Sequence, residues 1–356
     1  MGLLCVAQFP TMRVHFLTDI FYMQYDIYGL GSALLDIEYD VTVEFMQQHD
    51  IQKGVMTLVD DDRQAQLIDA LGSSNVTEKA SGGSAANSLI AAQHFGAKGF
   101  FSSKVANDQM GQDYLAALKK AGLGTNYDHH EPGPGRTGSC LVMVTDDADR
   151  TMNTYLGISI ELSEKEIHTP ALQNSQYLYT EGYLLATPEV RPVIFKAFEI
   201  ARAANVKIAL SLSDPFMIDC FKEHFVELVG SGVDMIFCNE DEAKMFTGTQ
   251  DVTAAAEAMK RYAKTFAITL GAEGSLLFDG QSFIEIPTHK VKAVDTVGAG
   301  DMYAGAFLAG LCQGKSFAES GTLASQAATQ VVTRYGPRLS KQEALDVMAA
   351  CNTVTA

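Results

Sequence analysis

Short apolar runs of strand length alternate with longer amphipathic segments through the second half of the chain. Strands are predicted near 176–181, 207–212, 234–238 and 265–270, and helices near 189–204, 216–229, 251–263, 300–312 and 317–334. Alternation of this kind favours a mostly parallel sheet with helices on both faces. The sequence therefore predicts an α/β protein.

The first half of the chain breaks this alternation with two β-rich regions, at about residues 37–58 and 125–156. Within them, strands are expected over 39–46, 55–58, 126–130, 139–145 and 151–156. The other segments follow the α/β pattern, with strands over 25–31 and 99–104 and helices over 60–71, 87–95 and 109–121. Periodicity alone does not show how the strands of the two β-rich regions pair.

Residues 1–22 do not fit the periodic pattern of the rest of the chain. They have no basic segment ahead of their apolar stretch and no small-residue cleavage site, so they do not match a signal peptide. We expect the folded domain to cover residues 23–356. The preceding segment is either the product of an upstream start or a disordered tail.

The net charge of −17, from 26 basic and 43 acidic residues, excludes some classes of partner. A chain this acidic is not expected to bind nucleic acid or an anionic membrane as its main function. No uncharged run is long enough to span a bilayer. The six cysteines include no C-x-x-C pair, as in a cytoplasmic protein with reduced and mostly buried thiols. We expect a cytoplasmic enzyme that acts on small molecules, as a monomer or a homodimer.

A glycine-bearing turn, Asp295-Thr296-Val297-Gly298-Ala299-Gly300-Asp301, leads into an apolar helix. Because Gly298 and Gly300 have no Cβ, the backbone can present successive N–H groups at the start of that helix. These groups and the helix dipole form a site for an anion such as phosphate. A carboxylate beside bound phosphate is useful if it accepts a proton from an attacking hydroxyl. The turn predicts phosphoryl transfer to an alcohol, although a capped helix after a tight turn has the same pattern.

Two further motifs accompany this turn. The segment Ser81-Gly82-Gly83-Ser84-Ala85-Ala86-Asn87-Ser88 resembles a G-G-x-x-x-N motif, and Asn239-Glu240-Asp241-Glu242 matches N-x-x-E. With the D-T-x-G-A-G-D turn they occur in the order seen in the ribokinase-like (PfkB) family of sugar and nucleoside kinases, which the chain resembles over roughly residues 25–350. The resemblance implies a three-layer α/β sandwich with a mostly parallel central sheet. It also implies a small β lid, with strands from about 37–58 and 125–156.

The resemblance places the transfer chemistry at the glycine turn. Asp301 matches the family's general base toward the acceptor hydroxyl. The N–H groups of Gly298, Ala299 and Gly300 would stabilise the charge of the transferred γ-phosphoryl group. Arg150, between two predicted strands, would reach the phosphates from the lid. The other interpretation of Arg150 is an exposed arginine at a hairpin tip, paired with nearby acids.

The resemblance also implies an ATP site near the ends of two strands. Asn239 would support nucleotide binding, and Glu242 would bind Mg²⁺, in part through water. The same two residues also fit a helix cap and its capping box, and both roles can hold together. Thr269, Gly271 and Gly274 belong to a glycine turn that resembles the family segment lying along ATP.

A monovalent cation, K⁺, is a further expected cofactor beside ATP and Mg²⁺. Asp295 and Val297 match the neighbourhood of such a site in many members of the family. The site relies on backbone carbonyl groups, which a sequence does not reveal.

Four residues match the family positions that hold the sugar hydroxyls of the acceptor: Asp36, Gly82, Gly83 and Asn87. An Asp and an Asn suit vicinal hydroxyls, because one accepts hydrogen bonds and the other both accepts and donates. The glycines allow a ligand to approach the backbone. The plainer interpretations are a solvated turn acid at Asp36 and a satisfied polar residue in the first turns of a helix at Asn87.

Several stretches resemble the adenosine-kinase branch more than ribokinase. Ser84 stands where ribokinases have a lysine after the glycine pair, whereas Ser32-Ala33 stands where adenosine kinases commonly carry Asn-Pro. We expect ATP-dependent phosphorylation of the 5′-hydroxyl of adenosine, giving AMP and ADP. The alternatives are a sugar kinase of the ribokinase or fructokinase type and another purine nucleoside kinase. A non-catalytic ligand-binding homologue would be expected to lack Asp301 or the glycines, and this chain has them.

Overall fold

The strands of the protein are short, and most are apolar enough to be covered on both faces. The computed structural model describes residues 25–72, 76–146 and 150–354, so the predicted extension over residues 1–22 lies outside the described residues. In chain order the strands are β1 (Ile27–Leu30), β2 (Leu34–Asp40), β3 (Met56–Leu58), β4 (Val76–Gly82), β5 (Gly99–Ser102), β6 (Gly124–Thr125), β7 (Thr137–Val144), β8 (Arg150–Gly157), β9 (Tyr177–Glu181), β10 (Lys207–Ser211), β11 (Val233–Asn239), β12 (Ala263–Thr269), β13 (Ser275–Phe278) and β14 (Phe283–Ile286).

Within the described ranges, nine strands form the central sheet in the order β14-β13-β12-β11-β10-β9-β1-β5-β6. The strands from β12 to β6 run parallel to their neighbours, and β13 and β14 are antiparallel at one edge. Strands such as β1 and β9 are buried along their whole length, as expected of a parallel sheet covered by helices. The predicted mostly parallel sheet is confirmed.

Helices cover both faces of this sheet, except the first two in the chain, which pack elsewhere. In chain order they are α1 (Val43–Gln48), α2 (Asp61–Leu71), α3 (Ser84–His94), α4 (Gln109–Ala121), α5 (Thr169–Gln173), α6 (Arg191–Ala203), α7 (Pro215–Gly230), α8 (Glu240–Thr247), α9 (Val252–Met259), α10 (Ala299–Cys312), α11 (Phe317–Val331) and α12 (Lys341–Val354). One apolar core lies between the sheet and α5 to α9, and a second lies between the sheet and α3, α4, α10, α11 and α12. The predicted three-layer α/β sandwich is therefore confirmed.

The other five strands form a second sheet in the order β3-β8-β7-β2-β4. Leu35 and Ile37 of β2 face a small apolar core that α1 and α2 complete through Met46 and Leu67. Asp36 alternates with these residues along β2 and so lies on the other face of the sheet. The sheet draws strands from both predicted β-rich regions and adds β4, which carries the glycine pair of the second motif at its end.

Two predicted strands are wrong, both because a helix cap interrupts an alternating pattern. In the run 39–46 the strand ends at Asp40, and Thr42 caps α1 by accepting a hydrogen bond from the backbone N–H of Phe45. In the run 126–130 a capping box closes a short 3₁₀ helix. Cap residues are polar at spacings that imitate the alternation of a half-buried strand.

None of the helices in the described ranges has the length and apolar character needed to cross a membrane. The cysteines that the structure describes are free thiols. Cys140 and Cys238 are buried, whereas Cys220 is exposed. The expectation of mostly buried thiols thus holds only for part of the set.

Helices α3 and α10 approach each other closely on one face of the central sheet. A Cβ built on Gly305 of α10 would lie 2.2 Å from the carbonyl oxygen of Ser88 and 2.7 Å from the Cβ of Ala91 in α3. The approach therefore requires glycine at position 305. It matters because α3 begins at Ser84 and α10 carries Asp301 in its first turn, so this crossing brings two predicted motifs together.

We expect Gly305→Ala to lower the free energy of unfolding by about 1–3 kcal/mol, because the added methyl group overpacks the crossing. This loss should appear although alanine favours a helix interior over glycine by about 1 kcal/mol. Urea unfolding measures the change. Gly300→Ala in the same helix is the matched control, since a Cβ at position 300 has no neighbouring atom within 4 Å. Equal stability of the two variants would contradict the close approach.

Candidate active site

Asp301 lies where the starts of α3 and α10 meet. Its Oδ1 accepts a hydrogen bond from the Ser84 hydroxyl at 2.6 Å, and its Oδ2 accepts one from the Asn87 amide at 3.2 Å. Burial raises the pKa of Asp301 to about 6, against the opposing effect of these two hydrogen bonds and of Arg338. A carboxyl group with this pKa is mostly ionised at neutral pH and can accept a proton from a hydroxyl.

Asn87 provides a buried hydrogen-bond acceptor beside Asp301. The residue is only 6% exposed, and its Oδ1 has no hydrogen-bond partner within the described part of the chain. A buried amide oxygen is costly unless a donor reaches it. A ligand hydroxyl would satisfy Asn87 Oδ1 while lying next to the carboxylate of Asp301.

Gly82 makes room for the carboxylate of Asp36. A Cβ at position 82 would lie 2.2 Å from both carboxylate oxygens of Asp36, which packs against this end of β4. Burial raises the pKa of Asp36 to about 7, with Arg338 lowering it and Asp301 raising it further. Asp36, predicted to bind the acceptor, therefore lies within electrostatic range of the predicted base.

A glutamate that sequence reasoning missed supports the glycine pair. Glu181, the last residue of β9, accepts hydrogen bonds from the backbone N–H groups of Ser32 at 2.8 Å and Ala85 at 2.6 Å. Burial raises the pKa of Glu181 to about 7. Gly83 packs closely against Ser32. It has φ of 90°, and a Cβ there would meet the Ser32 carbonyl oxygen at 2.5 Å. The sequence signal that could have identified Glu181 was its position at the end of a predicted strand, since ligands bind at the carboxyl ends of parallel strands.

An arginine from the loop before α12 also belongs to this site. Arg338 donates a hydrogen bond to the Ser81 hydroxyl at 2.9 Å. Its charge lowers the pKa of both Asp36 and Asp301. Nothing in the local sequence around position 338 marks it as a site residue.

The turn before α10 has the shape expected of an anion site. Gly298 caps the helix with φ of 76°, and a Cβ there would lie 2.3 Å from the Cβ of Pro337, so position 298 requires glycine. The N–H of Ala299 donates to the Thr296 carbonyl oxygen at 3.2 Å within the turn. The first N–H groups of a helix have no partner inside it. Of the three predicted donors, Gly298 and Gly300 therefore suit an anion better than Ala299.

A groove of about 250 Å³ lies beside this turn. Thr269, Gly271 and Gly274 line it on one side, and Ala299 and Gly300 line it on another. The groove thus brings three of the residues predicted for the nucleotide together with two of those predicted for the transferred phosphoryl group. A larger, more open groove of about 660 Å³ between α6 and α7 is lined by no predicted site residue.

Asn239 and Glu242 form the capping box of α8. The Asn239 side-chain oxygen accepts the Glu242 N–H at 2.8 Å, and both Glu242 carboxylate oxygens accept hydrogen bonds from Asn239, at 2.6 and 3.0 Å. Burial, together with the charges of Asp214 and Asp301, raises the pKa of Glu242 to about 7. The carboxylate oxygens and the surplus of negative charge fit Mg²⁺ bound through water. In the described ranges no group of three or more His, Cys, Asp or Glu residues could hold a metal ion directly.

The structure places Arg150 against Asp295 rather than at the start of α10. Its Nη2 lies 3.2 Å from Asp295 Oδ2 and 3.0 Å from Glu38 Oε2, and its side chain is only 8% exposed. Asp295 also accepts a hydrogen bond from the N–H of Val297 at 3.0 Å. The position of Arg150 fits the second interpretation, in which it pairs with nearby acids. It differs from that interpretation in one respect, because the side chain is buried rather than exposed.

The raised pKa of Asp301 predicts how stability depends on pH. The folded state holds this proton more tightly than the unfolded chain, whose Asp pKa is near 3.8. The resulting stability is present below that value and is lost as pH rises through about 6, up to about 3 kcal/mol. We expect Asp301→Asn to lose less stability than the wild type between about pH 4 and 7. Urea unfolding across that range tests this, and identical profiles would contradict it.

Comparison with known proteins identifies the family of the chain. Residues 60–344 match the model of the pfkB family carbohydrate kinases. Adenosine kinase 2 of Arabidopsis thaliana is 29% identical over 332 residues, which span 86% of this chain and 94% of that protein.

Two solved structures are similar over almost the whole fold. An adenosine kinase from Sinorhizobium meliloti has a TM-score of 0.83 at 34% identity, covering 92% of this chain and 99% of that one. A probable sugar kinase from Rhizobium etli CFN 42 has a TM-score of 0.83 at 31% identity, with the same coverage. This chain therefore belongs to the pfkB family of carbohydrate kinases, enzymes that transfer a phosphoryl group to an alcohol.

Proposed function

We propose that the protein is an adenosine kinase, which transfers the γ-phosphoryl group of ATP to the 5′-hydroxyl of adenosine and gives AMP and ADP. The observation that carries the proposal is the arrangement at Asp301, where a partly buried carboxylate lies beside the unpartnered Oδ1 of Asn87. One ligand hydroxyl placed there would meet an acceptor and a base together. The similarity to adenosine kinases from a plant and a bacterium supports the nucleoside as acceptor.

The charges around the site favour a neutral acceptor. Glu181 is buried and Asp36 and Asp301 are partly buried, and the charge of Asp301 raises the pKa of the other two carboxyl groups. An anionic sugar would be repelled by them, whereas the hydroxyls of a ribose ring can donate hydrogen bonds to carboxylates. We assign Asp36, Asn87 and the backbone of Gly82 and Gly83 to the ribose. A neutral free sugar is the second candidate, supported by the similarity to the Rhizobium etli protein.

In the proposed reaction Asp301 accepts the proton of the 5′-hydroxyl as this oxygen attacks the γ-phosphorus of ATP. Ser84 and Asn87 hold the two oxygens of the carboxylate, so the side chain faces the acceptor in a fixed orientation. The N–H groups of Gly298 and Gly300 stabilise the charge of the transferred group. The predicted contact of Arg150 with the phosphates would require its guanidinium to leave Glu38 and Asp295.

ATP would lie in the groove that Thr269, Gly271 and Gly274 share with the glycine turn. Asn239 is the N-cap residue of α8. Bound Mg²⁺ neutralises phosphate charge in reactions of this class. Glu242 is the residue that we propose to hold it through water.

The second sheet is proposed as the lid over the acceptor. Its strand β2 carries Asp36, and β4 ends at Gly82, so movement of this sheet would move the acceptor-binding groups. Closing it would exclude water, which competes with the nucleoside for the phosphoryl group.

The first test is ADP release with Mg·ATP across adenosine, inosine, guanosine, ribose and fructose. We expect turnover with adenosine, and we expect Asp301→Asn to reduce kcat by about 10²- to 10⁴-fold because it lacks the base. ATP binding, measured by thermal shift, should be retained in this variant. Turnover on a free sugar alone would overturn the adenosine assignment and keep the chemistry. Full activity of Asp301→Asn would overturn the role of Asp301.

A second test separates the acceptor site from the nucleotide site. Gly82→Ala forces the carboxylate of Asp36 away from its position, so we expect KM for the acceptor to rise by about 10- to 100-fold, the cost of lost hydrogen bonds to a charged group. KM for ATP should stay unchanged. Gly133→Ala is the matched control, because a Cβ at position 133 meets no atom within 4 Å. An unchanged acceptor KM in Gly82→Ala would argue against Asp36 as a ligand.

A further inference from the structure

Asp295 is a buried carboxylate that shapes the glycine turn. Its Oδ1 accepts the N–H of Val297 and its Oδ2 accepts the N–H of Gly336, each at 3.0 Å. The side chain is 3% exposed. These contacts join the start of the turn to the loop before α12. Burying a carboxylate this deeply is costly unless hydrogen bonds and a nearby positive charge compensate it.

Arg150 supplies that charge from the second sheet. Its Nη2 lies 3.2 Å from Asp295 Oδ2 and 3.0 Å from Glu38 Oε2. Neither Nε nor Nη2 has an aligned hydrogen-bond acceptor among the described residues, so the guanidinium acts here chiefly as a charge. The ring of Tyr335 lies 5.8 Å from its Cζ and covers it.

The family resemblance predicts a monovalent cation at Asp295 and Val297, but the residues present do not fit one. Beside backbone carbonyl groups, Asp295 is the one anionic ligand that this expectation names for such an ion. Both oxygens of that carboxylate already accept an N–H, and Oδ2 also faces the guanidinium. A second positive charge at the same oxygen would be repelled. Glu38 shares the same guanidinium at 3.0 Å, so the occupation of both Asp295 oxygens by N–H groups argues against the ion as strongly as charge does.

We propose that Arg150 takes the place of the monovalent cation, so that the charge opposite Asp295 is part of the chain itself. An arginine stays protonated at any physiological pH and provides a permanent counter-charge. The protein then requires no K⁺ to hold the glycine turn. This inference goes beyond the proposed function and does not depend on the identity of the acceptor.

The test compares thermal unfolding in KCl, NaCl and choline chloride at equal ionic strength, near pH 8 where carboxyl groups are ionised. Wild-type protein should have the same Tm in all three salts. Arg150→Gln leaves the negative charge of Asp295 without a counter-charge. The Tm of this variant should therefore fall in choline chloride and recover with rising KCl in a saturable manner. Arg150→Lys keeps the charge and should not respond to K⁺.

Two controls define the site of any response to K⁺. Arg136→Gln removes an exposed arginine that comes directly before β7 and pairs with Asp61, and this variant should show no dependence on K⁺. The double variant with Arg150→Gln and Asp295→Asn should lose the recovery seen in Arg150→Gln.

A wild-type Tm that rises specifically in KCl, and no longer does so in Asp295→Asn, would overturn the proposal. An Arg150→Gln protein that folds and ignores K⁺ would also overturn it. If Arg150→Gln does not fold, the wild-type and Asp295→Asn comparison decides. Because Tm is measured without substrates, absence of kinase turnover would refute the proposed function and leave this result standing.

Discussion

The hydrogen bonds from Ser84 and Asn87 to Asp301 hold the proposed site together. They join two motifs that are more than 200 residues apart in sequence, and they exist because α3 and α10 cross at Gly305. The helices present their first turns to the same space, so the residues proposed for the acceptor and the glycine turn face each other. The central sheet and its second core serve to fix that crossing.

The site also contains several carboxyl groups that are held away from water, where ionisable side chains are uncommon. Asp36, Glu181, Glu242 and Asp301 are carboxyl groups whose pKa values burial raises toward neutrality. Each disfavours the folded state while it is charged, because its present contacts offset the cost of burial only in part. Ligand hydroxyls and cations are the partners that would relieve this strain, so stability given up here is recovered on binding.

The sequence was sufficient for the architecture and for much of the site. Run lengths and periodicity predict the central sheet, and the motifs identify Asp36, Gly82, Asn87 and Asp301, which the structure brings together. The sequence did not predict the role of Arg338 or the contact of Arg150 with Asp295, because each contact joins residues more than 100 positions apart. Pairing of this kind is set by tertiary packing rather than by any local pattern. The strand predicted over 39–46 failed for the opposite reason, since the Thr42 cap overrides a local alternation.

The loop before α12 has a consequence for how the protein is made. Pro337 packs on Gly298, Gly336 binds Asp295 and Arg338 reaches Ser81, so this loop contacts both halves of the site. A nascent chain that has emerged from the ribosome only as far as α11 lacks these supports, even though its sheet strands are already present. The glycine turn therefore gains its tertiary contacts late in translation. Until then the growing chain has the strands of the central sheet without the loop that supports this turn.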